Sequence, residues 1–177
     1  MRIVAGSRRG ARIAAPKGTA TRPTSDRVRE AAFNLIGPVD EAAVLDLYAG
    51  SGGMGLEALS RGARRCVFVE SDRAACAVIR DNLEKLRLSG ALVLCKDVLQ
   101  ALREERGGGR AYDLVIVDPP YDTWADIEPR LAAALPEALA SEGLLVVETS
   151  ARVEPALPLT VVTSRRYGSA RITLFSP

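Results

Sequence analysis

Short apolar runs alternate with helical patterns from residue 44 onward, and this alternation constrains the fold more than any other feature of the sequence. The runs are rich in β-branched residues or leucine and lack polar alternation, which is typical of parallel strands covered on both faces. We predict buried strands over residues 44–48, 66–70, 91–95, 114–118 and 144–149. Helices are predicted between them, over residues 54–61, 73–88, 97–105 and 124–140. Successive βαβ units of this length indicate an α/β fold with a doubly wound, mostly parallel sheet.

The C-terminal region departs from this alternation of strands and helices. Two further strands are predicted over residues 159–164 and 171–175, with only a short turn between them. Strands joined this closely must pair antiparallel, because a parallel crossover needs about a dozen residues or more. We therefore expect a seven-stranded sheet that ends in an antiparallel hairpin at its C-terminal edge.

The first 40 residues form a basic extension. Residues 2–5 and 11–14 flank a glycine-containing turn, which indicates a β-hairpin arm, and a helix is expected to begin at residues 24–26. This region holds eight basic and three acidic residues, whereas the rest of the chain has a net charge of −3. We accordingly divide the chain into a polyanion-binding extension over residues 1–40 and a main domain over residues 41–177.

The absence of one residue type excludes several kinds of chemistry. The chain has no histidine, so serine–histidine triads and imidazole metal sites are excluded, and we expect no metal. Its three cysteines form no Cys-x-x-Cys pair and are expected to be reduced. No apolar run approaches the ~18 residues of a membrane span, and arginines interrupt the N-terminal apolar stretch, unlike a signal peptide. We therefore expect a cytoplasmic protein without a membrane partner.

A glycine-rich turn directly follows the first predicted strand. Residues 49–55 read Ala-Gly-Ser-Gly-Gly-Met-Gly, and glycine permits both a sharp turn and the close approach of a ligand to main-chain N–H groups. Glu70 ends the next strand, 18 residues beyond Gly52, where a carboxylate can accept both ribose hydroxyls. The pattern predicts a nucleotide-like ligand, which can be a nicotinamide or S-adenosylmethionine.

Two further acids favour S-adenosylmethionine. Asp46 lies inside the strand before the turn, where a carboxylate is costly without a cationic partner such as the methionine ammonium group. Asp97 follows the third strand, where it can accept the adenine amino group beside the Val98 backbone. A simple N-cap of the following helix explains Asp97 nearly as well.

The fourth predicted strand runs into the sequence Asp118-Pro119-Pro120-Tyr121. Ligands of open α/β sheets bind beyond the carboxyl ends of strands, so this segment is expected to face the same crevice as the glycine turn. The Asp118 side chain and the Pro119 carbonyl can accept both hydrogens of an amine, and Tyr121 offers a ring on which a flipped base can stack. These residues predict methyl transfer to an exocyclic amine, which requires placement rather than a histidine base.

Together these residues resemble the Rossmann-like, class I methyltransferases that modify amino groups of bases. The N-terminal segments are more specific, because they are similar to the opening of the RsmD family of 16S ribosomal RNA (guanine-N2)-methyltransferases. The matching segments, in the order of that family, are RIVAGSRRGARIAAP, RPTSDRVREAAFN, LDLYAGSGGMGLEALSRGA, VFVESD and VDPPY. The resemblance implies methyl transfer from S-adenosylmethionine to the N2 of a 16S rRNA guanine, guanine 966 in that family.

The resemblance also implies roles for individual residues. The cofactor would be held by Asp46, Ala49, Gly50, Ser51, Gly52, Glu70, Ser71, Asp97 and Val98. The guanine would be positioned by Asp118, Pro119 and Tyr121, and residues 22–24 resemble a loop that lies over the cofactor pocket. Ser71 departs from the family pattern, because a larger apolar residue often packs on the adenine at this position.

The basic extension fits RNA binding, since arginines on one hairpin can follow a phosphate backbone. The residues expected to contact RNA are Arg8, Arg9, Arg12 and Arg22, whereas Arg27 and Arg29 are expected to be surface charges of the helix. The implied partner is 16S rRNA within the small subunit or an assembly intermediate. Three alternatives stay open: a DNA adenine or cytosine amine methyltransferase, a nicotinamide oxidoreductase, and a non-catalytic binding module or assembly factor.

Overall fold

The computed structural model describes residues 1–16 and 25–177, and its centre is a seven-stranded sheet. The strands are β1 (Ala43–Leu47), β2 (Arg65–Glu70), β3 (Ala91–Cys95), β4 (Tyr112–Val117), β5 (Leu139–Ser150), β6 (Thr160–Tyr167) and β7 (Ala170–Ser176). Their spatial order is β3-β2-β1-β4-β5-β7-β6. The first five strands pair in parallel, and β7 pairs antiparallel with both β5 and β6. The predicted sheet and its antiparallel C-terminal edge are confirmed.

Five α-helices lie in the part of the chain that the structure describes; the first precedes β1 and the other four connect strands. They are α1 (Asp26–Ile36), α2 (Gly53–Ser60), α3 (Arg73–Leu86), α4 (Val98–Gly107) and α5 (Trp124–Ala134). The Ser25 side chain caps α1 by accepting from the Val28 amide, and Asp72 caps α3 in the same way through the Ala74 amide. Helix α5 ends earlier than predicted, because Pro136 opens a 3₁₀ turn and the chain enters β5 at Leu139.

The helices cover both faces of the sheet, as a doubly wound fold requires. Along β1, Val44 points into an apolar cluster with α1, α2 and α3, whereas Leu45 points into a second cluster with α4 and α5. We call these the first face and the second face of the sheet. Among the described residues, no helix is long and apolar enough to cross a membrane.

Strand β3 differs from the prediction of a buried strand. It is the outermost strand next to β2, and none of its five residues is buried. Leu92 is 51% exposed. An apolar run identifies a strand but does not distinguish a central strand from an edge strand, which has a neighbour on one side only.

The N-terminal arm, residues 1–16, packs against the main domain. Its two extended stretches are joined by a single antiparallel bridge between Arg2 and Arg12, with a 3₁₀ turn between them, so the predicted hairpin contains no continuous strands. Ile3 and Ile13 are buried in the cluster of the first face. The arm is therefore docked on the main domain through buried side chains, which the sequence pattern of a basic hairpin did not predict.

Arg29 is fully buried, so its assignment as a surface charge of α1 is wrong. Its Nε lies 3.3 Å from Oε2 of the buried Glu57, and its guanidinium also contacts Asp26 Oδ1 at 2.9 Å and the Arg2 carbonyl. The Glu57 carboxylate in turn accepts the Val4 and Ala5 amides, each at 2.8 Å. A buried ion pair is tolerated because hydrogen bonds satisfy its remaining polar atoms, and here those bonds attach the arm to α1 and α2.

Candidate active site

The glycine turn connects β1 to α2 through a backbone that side chains rarely permit. Gly50 and Gly52 have φ angles of 55° and 79°, and Tyr48 has a φ of 59° although it carries a side chain. A Cβ on Gly55 would lie 2.3 Å from the Phe68 ring. The turn therefore needs glycine for two reasons: left-handed backbone at its start and close packing of α2 on β2 at its end.

Asp46 lies beneath this turn and is 1% exposed. Its Oδ2 accepts the Gly55 amide at 2.9 Å. Burial raises the pKa of Asp46 to about 8 despite that hydrogen bond, and the nearby carboxylates of Asp118 and Glu70 add to the rise. Because the unpaired carboxylate is disfavoured there, the site favours a cation that would bind to it.

Glu70 ends β2 and connects two loops. Its Oε2 accepts the Gly50 amide at 2.8 Å, and its Oε1 accepts the Asp72 amide at 2.8 Å. Ser71 follows it and is exposed, with its hydroxyl 3.5 Å from Oε1. A carboxylate has about four lone-pair positions, so Glu70 retains acceptor capacity for ligand hydroxyls.

The structure places Asp97 at the N-cap of α4, where it accepts the Gln100 amide at 3.1 Å. Its capping role is thus confirmed, and its contact with adenine stays a prediction. Val98 is buried behind it. Tyr48, which sequence reasoning missed, is close enough to feel the Asp97 charge: burial raises the pKa of Tyr48 to about 12 and Asp97 contributes to the rise.

The Asp118-Pro119-Pro120-Tyr121 segment lies beside the glycine turn. The Asp118 amide donates to the Leu47 carbonyl at the end of β1, at 3.4 Å. Pro119 is buried and Pro120 is exposed, and a 3₁₀ turn begins at Tyr121. The two motifs that sequence analysis placed in one crevice therefore meet at the carboxyl edge, by which we mean the edge where the parallel strands end.

Glu148 is a second residue that sequence reasoning missed. Its Oε1 accepts the Tyr121 hydroxyl at 2.6 Å, across the 27 residues that separate them in sequence. The only signal in the sequence was a glutamate near the end of an otherwise apolar run, in residues 144–149. A charged residue at that position of a buried strand is costly unless it has a partner or a role.

Four carboxylates thus lie on the first face at the carboxyl edge, one on each of four neighbouring strands or just beyond it. In spatial order they are Glu70, Asp46, Asp118 and Glu148. Apart from the buried Asp46, all of them are partly exposed. A row of acids beside a glycine turn is suited to a positively charged nucleotide-like ligand.

Asn82 joins this site to the N-terminal arm. Its side chain exchanges two hydrogen bonds with the Ala14 backbone, at 2.8 and 3.0 Å, and donates a third to the Ser51 carbonyl in the glycine turn, at 3.2 Å. Asn82 is itself buried. The end of the arm and the glycine turn are therefore held by one side chain of α3.

The arginines expected to contact RNA differ in their surroundings. Arg8 is partly buried, and its guanidinium donates to the carbonyls of Leu86 and Arg87 at the end of α3. Arg9 and Arg12 are exposed and form no ion pair with any residue of the described ranges. Arg22, with the loop of residues 22–24, lies outside the described residues. Arg9 and Arg12 are the more available of the described arginines.

Comparison with known proteins gives a consistent result. The family model described as "Conserved hypothetical protein 95" matches residues 1–176. "Putative rRNA methyltransferase YlbH" of Bacillus subtilis is 38% identical and covers 99% of this chain and 98% of its own length. "Ribosomal RNA small subunit methyltransferase D" of Escherichia coli K12 is 38% identical, and the match covers 89% of this chain and 78% of that protein. The solved structure "Putative methyltransferase yhhF from Escherichia coli" has a TM-score of 0.86 at 32% identity, with 99% and 96% of the chains covered.

Proposed function

Because the chain belongs to the RsmD family of ribosomal RNA methyltransferases, we propose that it transfers a methyl group from S-adenosylmethionine to the N2 of a guanine in 16S rRNA. In the family's numbering this base is guanine 966. The observation that carries the proposal is the meeting of the glycine turn and the Asp118-Pro119-Pro120-Tyr121 segment at one edge, lined by four carboxylates. This arrangement would hold a cationic methyl donor beside acceptors for an amine.

The residues present fit the cofactor. S-adenosylmethionine carries a cationic ammonium group and a cationic sulfonium, and when bound it supplies an activated methyl group. Asp46 would face its ammonium group, and Glu70 would face its ribose. The main chain of the turn, formed by Ala49, Gly50, Ser51 and Gly52, would contact the methionine part. Asp97 and Val98 would bind the adenine, with Ser71 at its edge.

The substrate amine would lie at the end of β4. Asp118 Oδ and the Pro119 carbonyl would accept its two hydrogens, which directs the nitrogen lone pair toward the methyl group. The buried Pro119 has no N–H to compete for that position, and it stiffens the loop. Tyr121 would stack on the base, and the proton released after transfer would leave through Asp118 or water.

The arm would contact the RNA backbone through Arg9 and Arg12, with Arg8 fixing the arm on α3 and Arg22 as a further contact. An enzyme that accepts the base within the small subunit or an assembly intermediate would take part of its specificity from the shape of that particle. A DNA amine methyltransferase would share the chemistry of Asp118 and Pro119, but the described residues offer no additional target-reading domain.

The experiment is transfer of labelled methyl groups to small subunits isolated from a strain that lacks the gene, followed by nucleoside analysis. We expect N2-methylguanosine at one site in 16S rRNA. Label in N6-methyladenosine or N4-methylcytidine instead would contradict the proposal. An Asp118→Ala variant with normal cofactor binding is the matched control, because it should transfer no label.

A further inference from the structure

Glu148 stands next to Asp118 in the sheet. Val117 of β4 is in register with Val147 of β5, and both side chains belong to the apolar cluster of the second face. Side chains alternate along strands, so Glu148 points to the first face. Asp118 directly follows β4, and its charge acts on Asp46, which lies on the same face. The antiparallel partner of Glu148 is Ile172, which lies in the cluster of the first face and confirms this direction. Neighbouring strands are about 4.8 Å apart, so the backbones of Asp118 and Glu148 lie next to each other at the carboxyl edge.

The Tyr121 hydroxyl holds the Glu148 carboxylate in place. It donates to Glu148 Oε1 at 2.6 Å, so the carboxylate is held beside the ring on which the proposed function places the base. Glu148 is partly exposed at the carboxyl edge. A carboxylate accepts about four hydrogen bonds, so it can take a donor from a base in addition to the tyrosine hydroxyl.

Two adjacent acceptors distinguish guanine from other bases that carry an exocyclic amine. The Watson–Crick edge of guanine presents N1–H beside the N2 amine, which are two neighbouring donors. Adenine and cytosine present one amine beside a ring nitrogen that accepts. A second carboxylate would place its lone pairs against that acceptor and disfavour these bases. The acceptors at Asp118 and Pro119 alone would fit an amine of any of the three.

We propose that Glu148 is a specificity-determining residue that accepts the N1–H of the target guanine while Asp118 and Pro119 hold its N2 amine. This inference rests on the proposed function and adds to it the reason for the choice of guanine. Glu148 thus has two tasks: its Oε1 orients Tyr121, and the carboxylate reads the base. No proton is transferred to Glu148 in this role.

The test compares guanine with 2-aminopurine at the target position of 16S rRNA in reconstituted small subunits. 2-Aminopurine keeps the amine, but its N1 accepts rather than donates. Wild type should prefer guanine by about ten- to hundredfold in kcat/KM, the usual range for one well-made base contact. Glu148→Gln should lose activity on guanine, and its preference should fall to within a few-fold, because an amide can donate to the N1 of 2-aminopurine.

Two variants separate base reading from a structural role. Tyr121→Phe removes the hydroxyl contact but keeps the Glu148 carboxylate, so it should lower activity on both bases and still prefer guanine. Glu142→Gln changes an exposed glutamate of the same strand and should change neither rate nor preference. Matched cofactor affinity and thermal unfolding of Glu148→Gln would establish that it folds.

The outcomes also separate the two proposals. If wild type makes N2-methylguanosine but Glu148→Gln keeps the wild-type preference, the role of Glu148 is overturned and the proposed function stands. If the wild-type protein does not methylate the subunits that carry guanine at the target position, the proposed function fails, and the inference that rests on it fails with it.

Discussion

The two sides of the carboxyl edge are built in different ways. On the side of β1 and β2, carboxylates are held by main-chain amides: Asp46 by Gly55 and Glu70 by Gly50. On the side of β4 and β5, the described contact joins two partly exposed side chains, Tyr121 and Glu148. The cofactor side is fixed by the backbone and by packing, whereas the substrate side depends on side chains that the base can rearrange. Substitutions should therefore affect the two sides differently.

The largest expected effect is on the packing of the cofactor side. Gly55→Ala places a Cβ 2.3 Å from the Phe68 ring and 2.7 Å from Cys66 Sγ, so we expect the free energy of unfolding to fall by about 1–3 kcal/mol or more. Gly53→Ala is the matched control in the same helix, because the nearest atom to its Cβ is 3.4 Å away. Urea unfolding checks both, and equal stabilities would show that the close contact is not rigid.

The next effect is the pH dependence of cofactor binding. Because the pKa of Asp46 is raised to about 8, the free protein carries a protonated Asp46 at pH 6, and binding a cation requires its ionised form. Affinity for S-adenosylmethionine should therefore rise with pH, by at most about tenfold per unit between pH 6 and 7.5. This range stays below the pKa of about 8 typical of an α-amino group.

Calorimetry at several pH values measures this dependence, and Asp46→Asn should abolish it. An affinity of the wild type that is constant from pH 6 to 7.5 would mean that Asp46 does not face the ammonium group.

A smaller effect is expected at the arm, which packs on α2 and α3 and carries the exposed Arg9 and Arg12. Replacing Arg9 and Arg12 with alanine should weaken RNA binding several-fold and reduce the slope of log K against log salt by roughly 1.5, as for two lost phosphate contacts. Arg103→Ala, an exposed arginine on α4, is the matched control and should leave the slope unchanged. If the double variant keeps the wild-type slope, the arm does not contact the RNA backbone.

The smallest effect concerns Ser71, at the expected adenine edge of the cofactor side. Ser71→Ile adds apolar surface, and if this surface packs on the adenine, affinity for the cofactor should improve about two- to fivefold. Ser89→Ile, at another exposed serine, should not change it. Unchanged or weaker binding in Ser71→Ile would place the adenine elsewhere.

The same contrast explains what the sequence could and could not predict. The alternation of strands and helices and the position of the glycine turn follow from local patterns, namely apolar runs and glycines. The contacts that define the substrate side join residues far apart in sequence, such as Tyr121 and Glu148. Sequence patterns do not encode such pairs, because they depend on the register of neighbouring strands.

Buried charge was missed for a related reason. Arg29 follows the spacing of a helix surface, and its partner Glu57 is 28 residues away on another helix. From its sequence context Arg8 was expected to contact phosphate, but in the structure it donates to the carbonyls of Leu86 and Arg87 at the end of α3. An arginine can bury its charge or expose it, and only tertiary packing decides between them.

The most direct test of the account measures two quantities on two variants: cofactor affinity, and the rate of a single methyl transfer at saturating cofactor. Asp118→Ala should keep affinity within about threefold and lose about 10²–10⁴ in rate, since it removes an acceptor for the reacting amine. Glu70→Ala should lose affinity about tenfold or more and keep its rate within a few-fold. The account would be contradicted if Asp118→Ala lost cofactor binding while its residual turnover stayed normal, or if both variants lost affinity and rate in the same proportion.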